Sequence, residues 1–240
     1  MKKVFLFFFF FSAFGIVASS QVLIALVFGD KLNTPNLEFG INVGANLSSL
    51  SGIENAKYRT DIAVGTYFTW KTNDRFYIQP EFFVRFPGGA KKMSPYQLDD
   101  IGLDSILNNS TIERKMSYFS LPIYVKYRVW KQLRVSVGPQ FSLMSGSTDR
   151  FTKTVGDETD LLVSKNSLDL VNRFDVGISG GLSYKLKNGK GMNLEARFYY
   201  GFIDNDNEYA GSSSKNQIIS LLVGIPIGAE SDVVVESMEE

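Results

Sequence analysis

Two adjacent segments with a strict alternation of apolar and polar residues constrain this chain most. From Phe119 to Val129 every odd position is apolar, and the even positions carry Ser, Pro, Tyr, Lys and Arg. After a break at Trp130–Gln132 the alternation resumes and runs from Leu133 to Leu143. Because successive side chains of a β-strand point to opposite faces, the two segments predict a hairpin with one apolar face and one polar, partly charged face.

Six further segments repeat this alternation. Each arm of the hairpin has about ten alternating residues, the length that a tilted strand needs to cross a bilayer. Connections are long after the first, third, fifth and seventh strands and short after the second, fourth and sixth, which is typical of outer-membrane barrels. The short connection after the sixth strand contains Asn188-Gly189, a strong signal for a hairpin turn. The pattern predicts an all-β fold, an eight-stranded antiparallel up-and-down transmembrane β-barrel with a polar lumen, short periplasmic turns and long external loops. The predicted strands are Asn36–Ser48, Thr60–Lys71, Arg75–Phe86, Phe119–Val129, Leu133–Leu143, Val171–Lys187, Met192–Ile203 and Asn216–Gly228.

The alternation does not say which face is inside, since a soluble barrel of the lipocalin type would turn its apolar face inward. An eight-stranded barrel is only wide enough for side chains, and roughly forty large apolar residues would overfill it. The other face mixes glycines with polar residues and with charges of both signs. We therefore predict an apolar face in lipid and a lumen in which buried charges pair across strands. The predicted lumen charges are Glu38, Asp61, Glu81, Arg85, Lys126, Arg128, Arg134, Asp175, Glu195 and Arg197.

Three prolines interrupt the strand patterns. Pro80, Pro122 and Pro139 lie within predicted strands, and each removes a hydrogen-bond donor from the ladder. The sequence therefore predicts bulges or local breaks at these positions.

The ends of the chain differ in composition from the predicted barrel at residues 36–228. Residues 1–20 have a basic start, an apolar run and small residues at the end, which predicts a signal peptide rather than a membrane anchor. Residues 21–35 form a predicted periplasmic N-terminal segment, either packed at the inner end of the barrel or serving as a plug or partner-binding segment. Residues 229–240 carry five acids and no base, which predicts a disordered acidic tail.

The composition excludes several kinds of chemistry. The chain has 0 His and 0 Cys, so it lacks the residues of Ser-His-Asp and Cys-His catalysis and of the usual zinc sites. Its formal net charge of +0 gives no field to attract nucleic acid. Acidic clusters in the predicted loops do not have EF-hand spacing. We expect no catalytic residues, no cofactor, no metal site and no nucleic-acid partner.

Four segments resemble one known family. SYFSLPIYVKYRV, VSVGPQFSL, FDVGISGGLSY and NLEARFYYGFID are similar to the PorT-type outer-membrane β-barrel family, and GINVGANLSSLSG resembles its first strand. The resemblance covers most of Leu37–Gly228 and implies an eight-stranded exported barrel of a Gram-negative cell envelope. The name-giving member is associated with a secretion system. The chain departs from outer-membrane barrels in general at Gly224–Gly228, where a terminal aromatic residue is usual.

These observations together predict a non-enzymatic protein of the cell outer membrane, with both mature termini in the periplasm. Its role would be structural, adhesive or partner-binding, through the loops Pro87–Arg114 and Ser147–Leu168 or through periplasmic segments. The expected partners are outer-membrane lipid, lipopolysaccharide and a protein bound through the long external loops or the periplasmic segments. A narrow pore or a secretion-associated barrel is the alternative, and a soluble lipocalin-like carrier is a further one.

Overall fold

The computed structural model describes residues 34, 36–96, 101–155, 159–205 and 213–227. The predicted signal peptide, most of the N-terminal segment and the acidic tail lie outside the described residues. Besides strands, these described residues form one helix, α1 (Ile101–Leu107), and two 3-10 turns, at Leu168–Leu170 and Lys187–Gly189. The strands are β1 (Leu37–Ser51), β2 (Arg59–Lys71), β3 (Phe76–Met93), β4 (Thr111–Trp130), β5 (Leu133–Val155), β6 (Thr159–Asn166), β7 (Phe174–Lys185), β8 (Asn193–Gly201) and β9 (Lys215–Pro226).

Eight of these strands close into a ring. Consecutive strands pair antiparallel from β1 to β5, then β5 pairs with β7, β7 with β8, β8 with β9, and β9 returns to β1. The predicted eight-stranded antiparallel barrel is confirmed. The ninth strand, β6, pairs with β5 and lies outside the ring.

The two ends of the barrel differ in their connections, as predicted. Short turns at residues 72–75, 131–132 and 186–192 join β2–β3, β4–β5 and β7–β8 at what we call the turn end. The opposite, loop end carries the connections β1–β2, β3–β4 and β8–β9. At the turn end Asn188 adopts a φ of 52°, a left-handed conformation that Asn and Gly tolerate. The Asn-Gly hairpin predicted at this position is confirmed.

The apolar face of the ring points outward. On β4, Leu121 and Val125 are 44% and 49% exposed, while their neighbours Tyr124 and Lys126 are 1% and 0% exposed. The same alternation holds on the other ring strands. An apolar belt therefore surrounds the barrel, and the lipocalin-like alternative, which requires this face inside, is wrong. In the described part of the chain, no helix is long and apolar enough to cross a membrane.

The prolines break the pairing without shifting its register. Pairing of β3 with β4 stops after Pro80–Ile123 and resumes at Phe83–Ser120. The pairing of β4 with β5 has a similar gap after the pair Pro122–Gln140. These local breaks were predicted, but the bulges lie elsewhere. Two residues of β3, Val84 and Arg85, oppose a single residue of β4. The extra residue reverses the faces of β3 beyond that point.

Towards the turn end the buried face of the barrel is polar. Towards the loop end a buried apolar cluster, which the alternation did not reveal, lies among buried polar side chains such as Asp175. The bulge on β3 explains part of the difference, because it places both Phe83 and Phe86 inside although they are an odd number of residues apart. Beyond Ser120 the inward face of β4 carries apolar residues besides Arg114. Besides Phe83 and Phe86, the cluster includes Leu50, Met93, Ile112, Met116, Tyr118, Met144, Phe151, Tyr199, Ile218 and Leu222.

The predicted external loops are largely strand. β5 leaves β7 after the pair Leu143–Phe174 and continues with β6 from Thr148 to Val155. Together with residues 87–93 of β3 and 111–118 of β4 it forms a four-stranded extension, which we call the loop-end sheet. The long connections predicted at Pro87–Arg114 and Ser147–Leu168 therefore contain strand extensions at residues 87–93, 111–114, 147–155 and 159–166. Strand formation there allows Ile112 and Phe151 to be buried with Leu107 of α1.

Candidate functional site

Four charged side chains form a buried layer across the middle of the lumen. Arg197 on β8 donates two hydrogen bonds of 2.6 Å to the carboxylate of Glu81 on β3. Its Nε donates to Glu195 Oε2 at 2.6 Å, and Lys126 Nζ on β4 donates to Glu195 Oε1 at 2.7 Å. All four side chains are at most 4% exposed. We call Glu81, Lys126, Glu195 and Arg197 the central charge layer; it contains two acids and two bases and is neutral overall.

Uncharged groups complete the bonding of this layer. Gln79 donates from Nε2 to Glu81 and accepts from Thr69 Oγ1 at 2.7 Å. Asn193 donates to Glu195, and the Arg197 guanidinium lies 4.5 Å from the ring centre of Tyr124. Charge-assisted hydrogen bonds of this kind offset the cost of removing ions from water only when the geometry is good and all partners are present. The layer spans the lumen, because side chains of β3, β4 and β8 contact one another across the barrel.

Below this layer, a cavity of about 280 Å³ opens at the turn end. Four bases and one acid line it: Lys71, Arg128, Arg134, Lys185 and Glu38. We call it the turn-end mouth. Lys185 forms an ion pair with Glu38, and Arg134 stacks its guanidinium 4.2 Å from the ring centre of Tyr77.

An exposed ion pair accompanies the mouth. Lys71 Nζ lies 2.9 Å from Asp74 Oδ1 in the β2–β3 turn. The hydrogen bond from Lys71 lowers the pKa of the Asp74 carboxyl below its ordinary value. Asp74 therefore stays ionised at neutral pH and neutralises part of the positive charge at this end.

The ten residues predicted as lumen charges fall into four groups. Glu81, Lys126, Glu195 and Arg197 make up the central layer, and Glu38, Arg128 and Arg134 line the turn-end mouth. Asp175 is buried towards the loop end and accepts a hydrogen bond of 2.7 Å from Asn216. Asp61 and Arg85 form a partly exposed ion pair of 2.8 Å. Arg85 is 55% exposed and does not lie in the lumen, because the bulge on β3 turns it outward.

Two buried arginines were missed by the sequence analysis. Arg114 on β4 binds Asp149 on β5 through two hydrogen bonds of 2.8 Å, and both side chains are at most 1% exposed. Arg59 at the start of β2 is also buried and pairs with Asp61 and Glu113. Arg114 and Asp149 lie in segments predicted as loops. The sequence does contain a signal for a longer β4, since Arg114, Met116 and Tyr118 continue its two-residue period.

Within the described residues, no group of three or more acidic side chains is placed to bind a metal ion. Among the acidic loop clusters, Asp204 serves the structure: its Oδ1 accepts a hydrogen bond of 2.8 Å from the Ser214 backbone. The clusters at 99–100 and 157–158 lie outside the described residues. What the interior offers chemically is charge pairing and close packing.

The closed ring, the outward apolar belt and the filled lumen define a small membrane β-barrel. A family model described as outer membrane protein beta-barrel domain matches residues 30–207, so the chain belongs to that family and is an outer-membrane protein. No curated protein sequence matches the chain.

Several solved outer-membrane barrels are similar in fold. Ail, the attachment invasion locus protein of Yersinia pestis, in complex with the heparin analogue sucrose octasulfate, has 12% identity over 80% of this chain and 99% of its own, with a TM-score of 0.43. Neisserial surface protein A has 13% identity over 78% and 96%, with a TM-score of 0.42. OprG from Pseudomonas aeruginosa has 16% identity over 80% and 93%, with a TM-score of 0.33.

Proposed function

We propose that this protein is a closed, non-conducting barrel of the outer membrane whose loop-end sheet binds a partner outside the cell, in an adhesive or partner-binding role. The observation that carries this proposal is the filled lumen, which leaves the surface of the barrel as the place where function resides. Enzymatic activity is not expected, because bases engage the carboxylates of Glu81 and Glu195 and an amide engages that of Asp175.

Two successive barriers support a closed lumen. The central charge layer is held by five hydrogen bonds among four side chains. Above it the apolar cluster occupies the lumen with large side chains such as Phe83, Tyr118 and Tyr199, each at most 2% exposed. A hydrated ion would have to displace both barriers.

The loop-end sheet supports a role in binding. Residues 144–155 of β5 continue past β7, and twelve strand residues extend about 40 Å along the strand. The sheet is held rigidly by the Arg114–Asp149 pair and by Tyr96, whose hydroxyl lies 3.0 Å from Asp149 Oδ2. Leu162 on β6 is 59% exposed on this structure. A rigid exposed sheet loses little conformational entropy on binding.

The orientation of the barrel follows the rule for outer-membrane barrels. Their short turns face the periplasm and their longer loops face outside, so the turn end and both mature termini would be periplasmic. The signal peptide predicted at residues 1–20 supports export. The loop-end sheet would then lie outside, within reach of lipopolysaccharide and of partners beyond the cell.

A narrow pore or a secretion-associated barrel is the second candidate. The turn-end mouth favours it, because the mouth is polar, holds about 280 Å³ and reaches into the barrel. The resemblance to the PorT-type family points towards a secretion-associated role. A conductance measurement distinguishes the pore from the closed barrel.

Changing the exposed face of the loop-end sheet tests the binding role. Arg150 and Leu162 are both exposed there, and Arg150→Glu with Leu162→Glu reverses a charge and removes an apolar contact. Cells that express the wild-type protein should adhere to protein- or glycan-coated surfaces more than cells without it, and the double variant should lose most of this gain. Adherence is measured as retained cells after washing.

The matched control is Thr72→Glu, at an exposed residue of the β2–β3 turn, at the opposite end of the barrel from the loop-end sheet. It should adhere like the wild type. Equal adherence of the double variant, at the same surface level and with the same gel shift on heating, would show that the loop-end sheet is not the binding surface.

A further inference from the structure

The turn end of the barrel is strongly positive. Its described residues include eight bases and two acids, although the chain as a whole has a formal net charge of +0. The bases are Lys71, Arg75, Arg128, Lys131, Arg134, Lys185, Lys187 and Lys190, and the acids are Glu38 and Asp74. The two acids already bind Lys185 and Lys71. This end therefore has a surplus of positive charge.

Two arginines of the turn-end mouth lack an acidic partner. Among the described residues, no carboxylate lies within ion-pair distance of Arg128 or Arg134. Arg134 is only 7% exposed, and its Nε has no hydrogen-bond partner. Burying a guanidinium without a counter-charge is costly, and its planar set of donors matches a carboxylate. The mouth thus offers a buried guanidinium whose donors match a carboxylate.

The acidic tail begins beside this mouth. The Ile227 backbone donates a hydrogen bond of 3.0 Å to Phe39 O, and the preceding residues of β1, Leu37 and Glu38, line the mouth. The tail carries Glu230, Asp232, Glu236, Glu239 and Glu240 and no base. Three residues of extended chain span roughly 10 Å, so even the first acid of the tail can reach the rim.

We propose that the turn-end mouth is a carboxylate-binding site and that its occupant is the acidic tail of the same chain, residues 230–240. Arg128 and Arg134 bind tail carboxylates, and the positive rim attracts the remaining acids. Any other acidic segment would compete with the tail for these two arginines.

The tether explains why weak contacts suffice. An exposed ion pair contributes little to affinity, so a free acidic peptide would bind weakly. A short flexible linker raises the effective concentration of the tail to the millimolar range. Because the contacts are ionic, salt should weaken them.

Distances between two spin labels test the proposal on the full chain. The protein has 0 Cys, so Thr72→Cys in the exposed β2–β3 turn and Ser237→Cys in the tail provide two unique labelling sites. In detergent micelles at low salt, the wild-type tail should give a distance distribution about twofold narrower than that of a freely moving tether. High salt should broaden it.

The matched control keeps the tether and removes its charge, through Glu230→Gln, Asp232→Asn, Glu236→Gln, Glu239→Gln and Glu240→Gln. This control should show the broad distribution at all salt concentrations, and so should Arg128→Gln with Arg134→Gln. Identical distributions for the acidic and neutral tails would overturn the proposal. The proposal would also be overturned if the chain's own tail did not dock but an added peptide of residues 229–240 bound. That result would assign the mouth to carboxylates of another molecule.

Discussion

Replacing Arg197 by methionine is expected to lower the free energy of unfolding by about 3–5 kcal/mol, the usual cost of removing one partner from a buried ion pair. Arg197 binds Glu81 through both terminal nitrogens and Glu195 through Nε. Without it, two buried carboxylates share the single ammonium of Lys126. Methionine keeps much of the volume, so the loss reports the charge rather than a cavity.

Urea unfolding of the purified barrel in detergent micelles measures this effect, with the heat-dependent gel shift as a second readout. Arg85→Met is the matched control, because Arg85 is 55% exposed and pairs with the partly exposed Asp61. An ion pair at such a site contributes at most about 1 kcal/mol. If both variants unfold at the wild-type urea concentration, the central charge layer does not stabilise the barrel.

Gly138→Ala is expected to destabilise the barrel by about 1–3 kcal/mol or more, the range for an added methyl group in a packed interior. A Cβ at this position on β5 would lie 1.9 Å from the backbone oxygen of Ile123 on β4. Backbone atoms of a ring strand cannot move away without disturbing the ladder on both sides. The barrel should therefore fold in lower yield and convert to the unfolded gel band at a lower temperature.

Gly146→Ala is the control on the same strand. A Cβ there would have no heavy atom within 4 Å, and alanine restricts the unfolded chain, which stabilises a protein by about 0.4–1 kcal/mol where the backbone is compatible. Gly146→Ala should therefore match or exceed the wild type. An equal loss in both variants would mean that the close approach of β4 and β5 at Gly138 is not a constraint.

The strands of the ring could be predicted because a two-residue period is a direct consequence of strand geometry. The hairpin of Phe119–Leu143 and the Asn188-Gly189 turn follow from alternation and turn chemistry alone. The direction of the apolar face required a further argument, namely that the interior of an eight-stranded barrel is too narrow to hold all the large apolar side chains. Together these settle the architecture without any information on pairing.

The loop-end half could not be read in the same way. There the alternation of β4 is inverted: the buried face carries Ile112, Met116 and Tyr118, and the outward face carries polar residues. A search for outward apolar residues therefore does not detect this part of the strand. A single extra residue at Val84–Arg85 also reverses the faces of β3. Alternation counted along the sequence cannot detect such a bulge, and this is why Arg85 was assigned to the lumen.

The members of the charge network were easier to predict than their pairing. Residue types and faces indicated that Glu81 and Arg197 point inward, but their contact joins β3 to β8, which are not neighbours in the ring. Such contacts depend on strand tilt and on register around the whole barrel. The Arg114–Asp149 pair was missed for a simpler reason, because its segments were taken as loops.

The ion conductance of planar bilayers containing the protein tests the central claim most directly. Incorporation is verified with the two native tryptophans, Trp70 and Trp130, which are 57% and 63% exposed on the outer face and should be quenched by brominated lipid. With incorporation shown, the filled lumen predicts bilayers that stay sealed, without unitary current steps. Reproducible current steps from the wild-type protein would contradict the closed barrel and favour the narrow pore.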